Sequence, residues 1–238
     1  IYEQQPKLSS GTHVGSRLVF DDAGHLFVTQ GENNKRATAQ ELDKLQGKLV
    51  RLNADGSVPS DNPFVGREGV RPEIWSYGHR NMQGAAMNPW THVLWTSEHG
   101  PKGGDEINIP EAGKNYGWPI ITWGINYDGK PIPEAVSNAA EGMQQPHHYW
   151  LVSPAVSGMA FYAAERIPAW QHSLFLGALA GSSLIRLQLY GDRITGEERL
   201  LSKRNERIRD VRVGPDGLVY VLTDAADGKL LRIDLKAQ

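Results

Sequence analysis

The sequence predicts an all-β fold built from repeated strand-and-turn units, and three observations carry that prediction. Aromatic-rich apolar runs recur, each entered through a turn of Asp, Asn, Gly or Pro: Asp21–Gly24 before Leu26–Thr29, Asn88–Thr91 before Val93–Thr96, and Gly214–Gly217 before Leu218–Leu222. Those turn residues supply the positive φ and fixed dihedrals that reverse a chain between strands. A second pattern (small or basic start, apolar pair, Arg, apolar, polar) also occurs three times, at Gly47–Asn53, Ser183–Gln188 and Gly228–Asp234. Successive strand residues face opposite sides, so the Arg sits on one face and apolar residues on the other. One copy would be a generic amphipathic strand, whereas three copies argue for an architectural repeat. Helical periodicity is scarce. Only Ala37–Leu45 reads as a short helix, on an excursion between strands, and 26 Gly with 14 Pro punctuate the chain too often for a helical protein.

All-β repeats of this kind suggest propeller blades, each about 40–50 residues in four strands. A chain of 238 residues holds about four to five such blades, read as one domain over 1–238. A net charge of −2 gives no bulk attraction to nucleic acid or anionic membrane. No stretch approaches the roughly 20 apolar residues of a membrane helix. Ile1–Gln4 is neither basic nor apolar, so no signal peptide is visible, and the missing initiator Met suggests a processed or cut chain. Cysteine is absent, which excludes disulfides and thiol chemistry.

Four polar clusters could carry chemistry. Gly11–Arg17 places His13 in a loop before a strand, where an imidazole serves as a general base near neutral pH or simply as a turn residue. Gly78–Gly84 joins Arg80 and Asn81 to flanking glycines. The guanidinium can fork two donors onto a carboxylate or quinone oxygen, and the glycines allow close backbone approach. Ser97–Asn108, followed by Gly113–Pro119, has the oxygen-rich, Gly/Pro-bent character of a calcium loop without the spacing of an EF-hand. In Asn205–Asp210, Arg207 and Arg209 lie two apart and point the same way in a strand, which suits a polycarboxylate or a solvated basic edge.

Taken in order, the stretches GTHVGSRL, LQGKLVRLN, GHRNMQG, SEHGPKGGDEIN, NYGWP, NERIRD and DGLVYVLTD resemble the soluble quinoprotein sugar dehydrogenases, and in character the bacterial aldose sugar dehydrogenase branch. They run from Gly11 to Asp224. The resemblance implies a six-bladed propeller of four-stranded antiparallel blades with pyrroloquinoline quinone (PQQ) at the top of the central channel. The chain matches the C-terminal two-thirds of a family member. About four blades are therefore expected, and a family Gln that contacts the quinone lies outside the match.

The same resemblance implies roles residue by residue. His13 matches the base that takes the proton from the sugar C1 hydroxyl, while hydride passes to PQQ. Glu32 stands where glucose dehydrogenases carry an Asp that orients this His, one methylene longer. Arg80 and Asn81 match donors to the quinone oxygens. Gly100 and Pro101 match the backbone ligands of the active-site Ca2+, and Glu106 and Tyr116 a second, structural Ca2+. Arg207 and Arg209 match the clamp on the PQQ carboxylates, and Tyr127 is a candidate aromatic wall for the cofactor. Two departures are expected to matter. A family Lys that pairs with PQQ is matched by Ala180, so that Ala178, Leu179 and Ala180 would offer backbone or apolar contacts instead, and Ser153 replaces a family Thr.

The resemblance implies oxidation of aldoses to lactones with an unidentified electron acceptor, in the periplasm, by a monomer or homodimer without nucleic-acid or membrane-inserted partners. A propeller binding module would have no need of the base or the Arg pair. A lactonase-type hydrolase would hold calcium through several Asn, Asp and Glu side chains rather than a Gly-Pro carbonyl loop.

Overall fold

The computed structural model describes residues 1–234. Its strands form antiparallel sheets, each a simple meander of consecutive strands. The first comprises β1 (Leu18–Phe20), β2 (Leu26–Thr29), β3 (Lys48–Leu52) and β4 (Ile74–Tyr77). The second comprises β5 (Met82–Met87), β6 (Leu94–Glu98), β7 (Asp105–Asn108) and β8 (His148–Trp150). The third comprises β9 (Val156–Tyr162), β10 (Ser173–Ala178), β11 (Ser183–Tyr190) and β12 (Arg193–Leu200). The fourth has three described strands: β13 (Ile208–Val213), β14 (Val219–Thr223) and β15 (Leu230–Ile233).

Both sequence repeats occupy fixed places in this plan. The turn-led aromatic runs are the second strands β2, β6 and β14, and the Arg-bearing runs are the third strands β3, β11 and β15. The first and fourth sheets carry both repeats and the second and third carry one each, always at the same place in the strand order, in line with the repeated units expected from the sequence.

Consecutive sheets pack face to face. Phe27 and Leu49 of the first sheet meet Met82, Ala85 and Leu94 of the second. Trp95, Ile107 and Trp150 then meet Val156, Met159, Phe161 and Leu174 of the third. Tyr162, Phe175 and Leu184 meet Ile208, Val211 and Val219 of the fourth. Burying such a side chain stabilises by about 1.5–3 kcal/mol, so these apolar seams are the main glue between sheets. A hydroxyl-to-carbonyl bond crosses each seam. Thr29 donates to the Met82 carbonyl at 3.3 Å, Ser97 to Ser157 at 2.8 Å, and Ser157 to Ile208 at 2.7 Å.

The helix expected at Ala37–Leu45 is a correction. Only a 3-10 turn forms, at Arg36–Ala39. The backbone groups of the segment are taken by tertiary partners. Lys48 Nζ donates to the carbonyls of Thr38 and Ala39, Arg71 N to Leu42, Gly78 N to Ala39, and Leu45 N to the Gln5 carbonyl. An α-helix would need those same groups for its own i→i−4 bonds. A long connection, residues 109–147, joins β7 to β8 and folds back over the β4–β5 link: Tyr116 N donates to Tyr77 O at 2.8 Å and Trp118 N to Gly78 O at 2.9 Å. That fold-back carries Trp118 and Tyr127 to the candidate site.

Candidate active site

The loop before β1, the loop after β2, the β4–β5 link and the β6–β7 link meet at one end of the sheets. His13 has a left-handed backbone (φ 49°), a conformation that costs a non-glycine residue energy and persists where neighbours over-determine it. Here its carbonyl accepts from Asn33 N at 3.0 Å and from Asn33 Nδ2 at 3.4 Å. Gly31 makes the approach possible, since a Cβ at that position would lie 1.8 Å from the His13 oxygen.

The His13 ring is held from both sides. Nδ1 lies 2.6 Å from Oε1 of Glu32, a carboxylate with no solvent exposure. Nε2 lies 3.4 Å from Nη2 of Arg80. A carboxylate only accepts and a guanidinium only donates. The two neighbours therefore fix one tautomer, with the proton on Nδ1 and the Nε2 lone pair facing the Arg80 guanidinium at the cavity wall. The extra methylene of Glu32 does not prevent contact with His13. Its backbone N–H also donates to the Arg80 carbonyl at 2.9 Å.

Arg80 is buried, donates through Nη1 to the His99 carbonyl at 3.0 Å, and lies over the Trp118 ring at 5.3 Å. Burial lowers its proton affinity, while the charges of Tyr127, Glu32 and Glu98 oppose that. The guanidinium remains a fixed cation. Asn81 is buried beside it, and its Oδ1 accepts from Gly15 N at 3.2 Å, so part of the amide is spent on holding the His13 loop.

His13, Glu32 and Arg80 border a cavity of about 230 Å3 that also includes Thr12, Asn34, Arg36, Trp118 and Asn126, none of which the sequence reading singled out. Trp118 lies in NYGWP, and that motif was the available signal. A second cavity, about 500 Å3, shares Pro101 and Tyr127 with the first and is lined by Ser153, Ala180, Trp123 and Val152 among others. Tyr127 borders both and is largely exposed. Glu32 Oε2, Arg80 Nε, Trp118 Nε1 and Trp123 Nε1, all on residues that line these cavities, are buried without a hydrogen-bond partner, and buried polar atoms are ordinarily satisfied. A polar, planar ligand in these cavities fits that deficit.

The structure distributes the other expected residues unevenly. Gly100 and Pro101 lie in a tight loop where a Cβ on Gly100 would sit 2.3 Å from the carbonyl oxygens of Gly103 and Gly104. Asp105, which sequence reasoning passed over, braces this loop by accepting from Gly100 N and Val156 N, each at 3.0 Å, and from the Ser153 hydroxyl. Crowded carbonyls beside a carboxylate are the donor chemistry a hard cation takes. Glu106 pairs across the strands with Glu98, and burial with the Glu98 charge pushes its carboxyl well above the usual range. Asn108 Oδ1 nearby has no partner. Two facing carboxylates and a spare amide oxygen are also donors of the kind a calcium ion takes. Among the described residues, no three His, Cys, Asp or Glu side chains converge as a metal cluster.

Arg207 and Arg209 do point the same way, and one carboxylate holds both. Arg207 Nε donates to Asp224 Oδ2 at 2.9 Å and Arg209 Nε to Oδ1 at 3.0 Å. Arg209 also reaches Gln83 Oε1 at 3.0 Å. Arg207 borders a separate small cavity with Glu206 and Lys229. Of the three residues expected in place of the family Lys, Ala180 lines the larger cavity. The Ala178 side chain is instead packed in the core between sheets, and Leu179 is buried with its N–H on Ala155 O at 2.9 Å. The β10 register that fills the core turns the Ala178 side chain inward.

Comparison with known proteins identifies the family. Residues 1–232 match the family model described as Glucose / Sorbosone dehydrogenase. The chain is 59% identical over 233 residues to the aldose sugar dehydrogenase YliI of Escherichia coli K12, covering 98% of this chain and 63% of that protein. The crystal structure of a glucose dehydrogenase superposes with a TM-score of 0.98 at 64% identity, over 99% of this chain and 68% of that one. The PQQ-bound aldose sugar dehydrogenase of Streptomyces coelicolor superposes with a TM-score of 0.71 at 27% identity, over 92% of this chain and 61% of that one. On its sequence match and its sheets, the chain belongs to the glucose/sorbosone dehydrogenase family.

Proposed function

We propose that the protein to which this chain belongs oxidises the C1 hydroxyl of aldoses to the lactone with PQQ and Ca2+. The observation that carries the reading is the His13 ring, held between the buried Glu32 carboxylate and the Arg80 guanidinium, with all three lining one cavity of about 230 Å3. His13 Nε2 takes the hydroxyl proton, and Glu32 stabilises the resulting imidazolium through Nδ1–H. Arg80 supplies positive charge where negative charge develops during the transfer, an oxyanion-type contribution in a site largely shielded from water. Bound PQQ would supply the hydride acceptor, and bound calcium a Lewis acid for its carbonyl. Gly100 and Pro101 carbonyls would hold that ion, Glu106 and Tyr116 a second one, and Arg207 and Arg209 the cofactor carboxylates. Tyr127, Ser153 and Ala180 would border the cofactor.

The same reading completes the architecture as a single six-bladed domain. Leu18 and Phe20 on β1, and Leu222 and Leu230 on the last sheet, leave large apolar side chains exposed, as faces awaiting further blades would. A periplasmic site of action goes with it. The test adds PQQ and Ca2+ to the full-length apoprotein and follows dye reduction with glucose and other aldoses. Sugar-dependent reduction that requires both additions and collapses in His13→Ala is the expected result. No PQQ binding and no turnover would overturn the reading.

A further inference from the structure

A continuous hydrogen-bonded chain runs behind the site. The Ser76 hydroxyl lies 2.9 Å from His79 Nε2, and His79 Nδ1 lies 3.0 Å from Glu98 Oε2. Glu98 Oε1 accepts the backbone N–H of Arg80. The Arg80 carbonyl accepts Glu32 N at 2.9 Å, and Glu32 reaches His13 at 2.6 Å. Ser76 and His79 have no exposure and Glu98 has 4%. The Ser–His–carboxylate order is that of a hydrolytic triad, but a serine sealed from solvent and ligand has no access to a substrate.

We propose that Glu98 is a positioning residue: its carboxylate fixes the Arg80 peptide and, through the Arg80 carbonyl, the Glu32–His13 pair. The peptide at Arg80 lies in the β4–β5 link, where Gly78 has φ 76° and no strand ladder holds the backbone. Glu98 ends β6, where the strand is paired with both β5 and β7, and so ties that link to the sheet. The next residue, His99, accepts the Arg80 guanidinium on its carbonyl and sends its own N–H to the Asn81 carbonyl at 3.1 Å. Backbone and side chain of Arg80 are therefore both registered to the end of one strand. His79, which stacks on Tyr116 at 4.8 Å, holds the second carboxylate oxygen and keeps Glu98 from rotating away.

This inference uses the dehydrogenase reading only for its kinetic assay. The full-length protein is loaded with PQQ and Ca2+, and Glu98→Ala, Glu98→Gln and Ser76→Ala are compared per bound PQQ. Misplacement of catalytic groups by about 1 Å costs on the order of 100-fold. Glu98→Ala should therefore lose about 10- to 100-fold in kcat, with KM for the sugar changed by less than about threefold. Glu98→Gln should recover most of that, because its amide oxygen still accepts the Arg80 N–H. Ser76→Ala strips a buried partner from the same chain and should lower Tm while leaving kcat intact. Crystal structures should show Arg80 displaced from His13 in Glu98→Ala and unmoved in Ser76→Ala. An unmoved Arg80 in Glu98→Ala overturns the proposal whether or not the wild type oxidises sugar. So does a kcat loss in Ser76→Ala equal to that in Glu98→Ala, or full rescue of Glu98→Ala by excess calcium. A wild type that binds PQQ but oxidises no aldose sinks the dehydrogenase reading and leaves the structural comparison to decide Glu98.

Discussion

Replacing Glu32 by Gln is the sharpest single test of the catalytic pair. Glu32 is fully buried and approaches His13 Nδ1 at 2.6 Å, a charge-assisted bond worth about 1.5–3 kcal/mol. That stabilisation grows when the imidazole takes the substrate proton, so its loss falls mainly on the transition state. The same energy corresponds to about a 10- to 150-fold lower kcat. Gln has nearly the same shape, so the Arg80 carbonyl keeps its bond from the residue 32 N–H. A Gln can also present its NH2 to Nδ1, which would move the imidazole proton to Nε2 and block the base. Both effects act in the same direction. The assay is dye-linked aldose oxidation by PQQ-titrated full-length enzyme at saturating sugar, with KM measured alongside. A kcat within about threefold of wild type would refute the assignment of Glu32 to the reacting pair and leave it as a loop brace.

Further outcomes follow from other contacts. Gly31→Ala places a methyl where only 1.8 Å separates it from the His13 carbonyl; it should shift the His13 loop and lower kcat by about 100-fold, while unchanged turnover would mean that the loop relaxes freely. Arg209→Ala removes a cation held at Asp224 and Gln83; it should weaken PQQ binding by about 10- to 100-fold in a direct titration of the apoprotein, and an unchanged Kd would remove Arg209 from the cofactor site. Lys48 Nζ is sealed among the carbonyls of Thr38, Ala39 and Gln46, and burial draws its ammonium down to about 7. Its unfolded value is about 10.4. Between those values the unfolded chain holds a proton the folded chain lacks, so stability rises with pH there by up to about 1.4 kcal/mol per unit. Lys48→Met should abolish that rise in urea unfolding measured across the window, and a slope identical to wild type would show Lys48 charged throughout.

Much of the fold was legible because blade strands are encoded locally. Two-residue periodicity and the Asp, Asn, Gly and Pro turns specify β2, β6 and β14, and the Arg-bearing pattern specifies β3, β11 and β15. The segment after Arg36 misled for a physical reason. Its composition favours a helix, but Lys48, Arg71 and Gly78 take its carbonyls, and none of those partners is visible within a local window. Ala178 belongs to the same class, since its inward face is set by the β10 register rather than by its neighbours in the chain.

For the site, the sequence by itself determined the chemical inventory: an imidazole in a loop, a guanidinium flanked by glycines, a Gly-Pro loop rich in oxygen, and two arginines on one strand face. Those properties reside in residue type and near spacing. Only the tertiary structure decided which of them meet. It set Glu32 against His13 Nδ1 and Arg80 against Nε2, and it spent both arginines of the pair on Asp224. It also brought forward Asp105, Trp118 and Glu98, whose partners lie in other strands and loops. Hydrogen bonds are decided over tenths of an ångström, and residues up to 67 positions apart reach that precision only when sheet packing fixes their backbones.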